Sequence, residues 1–134
     1  MGANACSCGY QEVAEALESS DFSFKGRVTT VETYGPTLFN RVRFDVSNTY
    51  KNVSKKIDSI FTHQLGETCG YTFKENEEYI VFGFISEVGD SYILKGKPWV
   101  SLCSRTLPLK SDNWYDTKVI KEVTEYLENF ETGS

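Results

Sequence analysis

The sequence has little of several features that point to particular functions. Its 134 residues include one histidine, and 14 basic against 19 acidic residues give a formal net charge of −5. That balance argues against a nucleic-acid-binding protein, because such proteins usually carry a basic face. No apolar run approaches the roughly 20 residues of a membrane-spanning helix. We therefore expect no nucleic-acid partner and no membrane span.

Catalytic motifs are equally scarce. With His63 alone, a zinc site would need carboxylates from elsewhere, and a hydrolytic triad would have to be built around one histidine. There is no Gly-x-Ser-x-Gly and no glycine-rich phosphate loop. We expect His63 to be a surface or half-buried strand residue. The sequence indicates a protein that is not an enzyme and needs no cofactor.

Four cysteines are present, and their spacing is unusual. Cys6 and Cys8 are one residue apart, whereas Cys69 and Cys103 lie far downstream. A Cys-x-Cys pair is poorly placed to close on itself. We expect Cys6 and Cys8 to reach different partners among the other two, and so pin the N-terminal segment across the domain. No Cys-x-x-Cys is present, so two disulfides are favoured over zinc, which indicates an oxidising compartment.

The residues before the first cysteine have the form of a processing site. Ala3-Asn4-Ala5 matches the small-x-small pattern of signal-peptidase cleavage, although an accidental pair of alanines is the alternative. We expect residues 1–5 to be a leader remnant or residues added for expression. The domain is then expected over residues 6–131, followed by a polar tail at 132–134.

Alternating apolar and polar residues predict a β-sheet. Residues 22–31 and 38–50 form a predicted hairpin, and Gly26 inside its first strand predicts a bend or bulge. The near-continuous apolar run Tyr79–Ile85 predicts a central strand that is covered on both faces. Further strands are expected at 57–63, 91–95 and 99–103.

Two amphipathic helices flank these strands. The first is expected at residues 10–19, ended by Ser20 and Asp21, and the second follows Asp116 as its N-cap, with an apolar stripe over residues 119–130. The predicted fold class is mainly β: a five-stranded closed barrel of OB type, with N- and C-terminal α-helices and two disulfides.

Aromatic residues are abundant, and an OB barrel can stack nucleotide bases on them. Most of them fall on the inward phase of the predicted strands, so we expect them to form the core. Asn52-Val53-Ser54 fits the glycosylation sequon, a triplet that also occurs often by chance.

Cys6 has a distinct chemistry if it is the first residue of the processed chain. Its free α-amine and backbone carbonyl can then chelate a metal ion. Catalytic zinc keeps an open position that water normally fills, and a rigid terminus offering N and O donors could displace that water. Two disulfides from Cys6 and Cys8 would supply the necessary rigidity.

In the order and spacing of its motifs, the chain resembles the N-terminal inhibitory domain of the tissue inhibitors of metalloproteinases, within the netrin-like module family. The motifs that carry the resemblance are Cys6-Ser7-Cys8, residues 20–28, Thr68-Cys69-Gly70-Tyr71, residues 78–83 and Leu102-Cys103-Ser104. The resemblance implies an OB barrel and the disulfide pairs Cys6–Cys69 and Cys8–Cys103.

The resemblance also implies residue roles. The Cys6 amine and carbonyl would bind the zinc of a target metalloendopeptidase, and Ser7 would enter its specificity pocket. Glu67 and Thr68, beside Cys69, would line the adjoining cleft. A secreted, monomeric inhibitor is therefore expected. With residues 1–5 retained, the amine is an amide, and inhibition is expected to be weak or absent.

Two other interpretations remain open at this point. One is a netrin-like binding module of the extracellular space or cell envelope that inhibits no protease. The other is a lipid-anchored domain acylated at Cys6, which would preclude both zinc chelation and a disulfide there. The family's third disulfide in this domain has no counterpart here, because only four cysteines exist.

Overall fold

The computed structural model describes most of the chain. The described residues are 12–33, 39–51, 57–63, 70–85, 96–101, 106–110 and 114–129. The elements in chain order are α1 (Val13–Ser19), β1 (Phe22–Thr33), β2 (Phe39–Lys51), β3 (Ser59–His63), β4 (Glu78–Ile85), β5 (Pro98–Trp99), β6 (Leu107–Pro108) and α2 (Trp114–Glu128).

The strands form a closed barrel. Hydrogen-bonded neighbours run β1-β2-β3-β5-β4, and β4 returns to β1, which closes a five-stranded ring. Strands β3 and β5 pair in parallel, with Phe61 opposite Trp99, while the other pairs are antiparallel. β6 pairs with β4 outside this ring. The expected fold class, a mainly β closed barrel with a helix at each end, is confirmed.

β1 and β2 form the expected long hairpin, and its irregularities curve it into the barrel. The register shifts between Lys25 and Gly26, as the sequence predicted for a bulge at Gly26. A Cβ atom at Gly26 would lie 3.0 Å from the carbonyl oxygen of Asp45. Glycine at this position therefore permits the two backbones to approach closely.

β4 is buried on both faces, as its apolar run predicted. Tyr79 and Val81 point into the barrel, where they pack in the main core. Ile80 and Phe82 point outward into a second core, which they share with side chains of both helices. Since alternate residues of a strand face opposite sides, an uninterrupted apolar run is what such a strand requires.

Among the described residues, the barrel interior forms the larger of the two cores. Its buried members are Phe22, Phe24, Val28, Val42, Phe44, Ile60, Phe73, Tyr79, Val81 and Val100. Many of the aromatic rings meet edge to face: the Phe24 and Phe44 centroids are 5.0 Å apart, and those of Phe44 and Phe73 are 5.5 Å apart. The assignment of the inward-phase aromatic residues to the core is confirmed.

α1 ends where Ser20 and Asp21 were expected to end it. The Ser20 hydroxyl donates to the Ala16 carbonyl at 2.6 Å, and Ser20 itself is extended. The Asp21 carboxylate accepts the N–H of Ile85 at 2.7 Å, while the Asp21 N–H donates to Gly83. The Ser-Asp pair thus ends the helix and joins the start of β1 to the end of β4.

α2 begins earlier than expected. It starts at Trp114, so Asp116 is its third residue and the expected N-cap at Asp116 is wrong. Val123 and Leu127 of its apolar stripe are buried against the outer face of the barrel, as expected. Their spacing of four residues places both side chains on one face of the helix.

Several expectations fall on residues outside the described ranges. These are residues 34–36 of the hairpin turn, which was expected at 32–36, the strand at 91–95, the sequon at Asn52, and all four cysteines with both disulfides. Glu32 and Thr33, the first two residues of the expected turn, still belong to β1. The expected strand at 99–103 is described only in part, as Pro98–Trp99 followed by Val100 and Ser101. β6 was not predicted, because a two-residue strand carries no periodicity.

Candidate functional site

The residues assigned to inhibition and to the disulfides lie outside the described residues, whereas neighbouring residues that attach two of these segments to the barrel are described. Those residues are Cys6, Ser7, Cys8, Glu67, Thr68, Cys69 and Cys103. Gly70 directly follows Cys69, and Ser101 precedes Cys103 by two positions. The described chain therefore shows where the segments bearing two of the four cysteines join the barrel.

Both segments are anchored on consecutive residues of β3. The Val100 N–H donates to the carbonyl oxygen of Phe61 at 2.9 Å. The Tyr71 N–H donates to the Oγ1 atom of Thr62, also at 2.9 Å. Since Thr62 is buried, its hydroxyl is a well-shielded acceptor. The end of β3 thus holds the chain on the approach to Cys103 and on the exit from Cys69.

Gly70 makes the closest backbone approach at this end. A Cβ atom there would lie 2.1 Å from the carbonyl oxygen of His63 and 2.7 Å from its carbonyl carbon. Gly70 is buried. Its backbone conformation does not by itself require glycine, because among the described glycines it is Gly96 that has a positive φ angle. Glycine at 70 is therefore required by space, because any side chain would overlap the main chain of β3.

Four ring side chains, which we name the aromatic cluster, surround the same strand end: Phe39, His63, Phe84 and Trp99. The His63 ring lies 4.9 Å from Phe39 and 4.9 Å from Trp99 between centroids. Trp99 also contacts Phe39 at 5.4 Å and Phe84 at 6.5 Å. These side chains are half-buried and follow the outward phase of their strands. The cluster links β2, β3, β4 and β5 outside the barrel.

Burial shifts the pKa of two groups near the end of β3. Desolvation lowers the pKa of His63 below its usual value, because burial disfavours the charged imidazolium. Burial, with a smaller contribution from Tyr79, raises the pKa of the Tyr71 phenol. Both groups are therefore neutral near pH 7. His63 is half-buried on a strand, as expected.

Sequence analysis missed the aromatic cluster and the steric role of Gly70. The outward phase of Phe84, two residues after Phe82, was visible in the sequence. Its contact with Trp99 was not, because a strand was expected at 99–103 but nothing in the sequence shows that it pairs with the end of β4. In the sequence Gly70 stands out only as part of the motif around Cys69, and nothing there shows that it faces His63.

Within the described ranges, no group of three or more His, Cys, Asp or Glu residues is placed to hold a metal ion. Neither described helix is long and apolar enough to cross a membrane. The Arg41 and Arg43 side chains both contact Glu32, which lowers the pKa of the Glu32 carboxyl through hydrogen bonds and charge. These side chains are partly exposed and link β1 to β2.

Comparison with known proteins identifies one informative relative. No model of a known protein family matches the chain. The chain is similar to a protein of Margaritifera margaritifera described as an NTR domain-containing protein, with 30% identity over 94 residues. The alignment covers 66% of this chain and 64% of that protein, so the chain spans less than two thirds of its relative. With the closed barrel, this similarity supports a netrin-like (NTR) module and does not single out an inhibitory domain.

Proposed function

We propose that the chain is an extracellular netrin-like module that inhibits zinc metalloendopeptidases when Cys6 is its first residue. The observation that carries the proposal is the anchoring of two cysteine-bearing segments on Phe61 and Thr62. Cys69 lies two residues before Tyr71, and Cys103 lies three residues after Val100. If these cysteines receive Cys6 and Cys8, the N-terminal segment would be tied twice to chain segments that leave the barrel at β3.

A doubly tied terminus suits metal chelation. The α-amine and the carbonyl of Cys6 belong to one residue, so a single positioned residue supplies both donors. The α-amine has a pKa near 7.7–8.0, and metal binding can displace its proton at neutral pH. A donor pair held rigidly loses little conformational entropy on binding, which favours a tight complex. The target enzyme supplies the zinc and its open position.

The module is proposed to act as an inhibitor or binding partner, not as an enzyme. Ser7 would follow the chelating residue into the target's pocket, and Glu67 and Thr68 would contact the cleft beside it. The acidic net charge, and the location of most of the described aromatic rings in the two cores, are consistent with a protein partner in place of nucleic acid. An oxidising, extracytoplasmic location is proposed because the mechanism requires both disulfides.

The test compares two forms of the chain: residues 1–134, and a form that begins at Cys6. Both are assayed against a panel of zinc endopeptidases, after peptide mapping of the disulfides by mass spectrometry. We expect only the form beginning at Cys6 to inhibit, and acetylation of its α-amine to abolish inhibition. A serine protease serves as the control target.

Three results would contradict the proposal. Equal inhibition by both forms would show that a free amine at Cys6 is unnecessary. No inhibition by either form, with both disulfides present and the barrel folded, would leave a netrin-like binding module without protease inhibition. A lipid at Cys6 in the native protein would exclude chelation by that residue.

A further inference from the structure

Residue 70 has no room for a side chain, although it lies outside the strands of the barrel. Its Cβ position would lie 2.1 Å from the His63 carbonyl oxygen and 3.0 Å from the His63 Cβ atom. To accommodate an alanine, the Gly70 backbone would have to move by about 1 Å away from β3. The neighbouring atoms are mostly main chain, so rotation of a side chain cannot relieve the overlap.

The part of β3 against which Gly70 packs is held in place by the neighbouring strands. His63 pairs with Phe39 in the β2–β3 register, and its ring lies between Phe39 and Trp99. β3 is held on its other side by the parallel pairing of Phe61 with Trp99. The overlap at residue 70 would therefore be relieved by displacement of the segment containing Gly70, because β3 is paired on both edges.

Displacement of Gly70 moves the residue joined to it, Cys69. We propose that Gly70 is a positioning residue. Its close packing on the main chain of His63 sets the place of Cys69. Through the proposed disulfide between Cys69 and Cys6, it also sets the place of Cys6, the proposed zinc-binding residue. This inference rests on the function proposed above and adds a residue to it. The hydrogen bond from the Tyr71 N–H to Thr62 Oγ1 holds the same segment from its other end.

The expected size of the effect follows from the displacement. A shift of about 1 Å in a group that must meet a metal in defined geometry costs up to roughly 100-fold. We therefore expect Gly70→Ala, in the form beginning at Cys6, to weaken inhibition by about 10- to 100-fold. The barrel remains closed, because Gly70 lies outside its strands.

The matched control is Gly26→Ala. Gly26 is also a buried glycine close to a backbone carbonyl, with 3.0 Å between its Cβ position and Asp45, but it lies within the β1–β2 hairpin and adjoins no cysteine. We expect this variant to lose thermal stability without a change in the inhibition constant of its folded fraction. Equal weakening of inhibition by both variants would overturn the inference, since general destabilisation would then suffice.

A second measurement separates this inference from the proposed function. Amide hydrogen exchange at Tyr71 reports whether the segment still packs on β3, with or without protease inhibition. We expect Gly70→Ala to accelerate exchange at Tyr71 by about 10-fold or more, and Gly26→Ala to leave it unchanged relative to global unfolding. If the unmodified chain inhibits no protease, the proposed function fails, and Tyr71 exchange still decides the packing role of Gly70.

If Gly70→Ala fails to fold, Thr62→Val replaces it. This variant keeps the shape of the buried side chain and removes the acceptor of the Tyr71 N–H. We expect inhibition to weaken by about threefold to tenfold, and Thr62→Ser, which keeps the hydroxyl, to retain it. Unchanged inhibition together with unchanged Tyr71 exchange, in whichever variant folds, overturns the inference.

Discussion

Thr106 forms hydrogen bonds with a residue of β4 that lies between the short pairings of β4 with β6 and with β5. β4 pairs with β6 at Tyr79 and Ile80, and with β5 at Phe84 and Ile85. Between these short pairings, the Thr106 Oγ1 atom accepts the N–H of Phe82 at 3.0 Å, and its hydroxyl donates to the Phe82 carbonyl at 3.2 Å. A single side chain thus satisfies both backbone groups of a buried strand residue.

Thr106→Val removes both hydrogen bonds and keeps the side-chain shape. Phe82 is fully buried and Thr106 is 8% exposed, so water cannot readily replace the lost partner. Leaving a buried N–H unsatisfied costs about 1–3 kcal/mol. For a domain of this size that loss lowers Tm by roughly 3–12 °C. Thr106→Ser is the control, since it keeps the hydroxyl and loses one methyl group, worth about 0.8 kcal/mol.

The assay combines urea unfolding with amide exchange at Phe82. We expect Thr106→Val to lower the unfolding midpoint at an unchanged m-value and to accelerate exchange at Phe82. Thr106→Ser should retain slow exchange there. If Thr106→Val is as stable as the unmodified chain and Phe82 remains equally protected, the side chain does not replace the missing strand pairing, and this reasoning is refuted.

Three further predictions concern stability. Lys51→Met should lower the free energy of unfolding by about 0.5–1.5 kcal/mol, because the Lys51 ammonium donates to the Leu17 and Glu18 carbonyls at the end of α1. Urea titration measures this loss, and an unchanged unfolding midpoint would contradict it. Ser23→Ala should raise the free energy of unfolding slightly, by up to about 1 kcal/mol, and the thermal midpoint with it, because the Ser23 hydroxyl is buried and has no hydrogen-bond partner among the described residues. A loss of stability would show that the hydroxyl is satisfied. Since the pKa of His63 is lower in the folded state than unfolded, the unfolded chain takes up the proton first as pH falls. Its contribution to stability is therefore complete above about pH 7 and decreases through pH 6.5 and below. His63→Phe should flatten that part of the pH–stability curve, and identical curves for both proteins would contradict the assignment.

Side-chain periodicity allowed the main strands and helices to be predicted from sequence. The alternation in β1 and β2, and the apolar run of β4, each specify which faces are buried, and the structure confirms both. This works because a strand exposes alternate residues to alternate environments, so local sequence records burial directly. The helix ending at Ser20 was predictable for a similar reason, since polar side chains there compete for the last backbone groups.

The candidate site divides in the same way. The spacing of cysteines and the chemistry of a terminal Cys6 came from sequence alone, and they remain predictions because these residues lie outside the described ranges. The structure adds the anchors at Phe61 and Thr62 and the close approach of Gly70 to His63. No sequence pattern indicated these contacts, since each joins residues from different segments.

The sequence by itself therefore determined the four longer strands, β1 to β4, the two amphipathic helices and the double burial of β4, whereas β6 was not predicted. Only the tertiary structure decided how the ring closes through β1 and β4, where β5 joins β3, and that a distant lysine caps α1. The physical reason is the range of the interactions. Periodicity and turn preference act over a few neighbouring residues, whereas closure, capping by Lys51 and the space left for Gly70 depend on parts of the chain that meet only after folding.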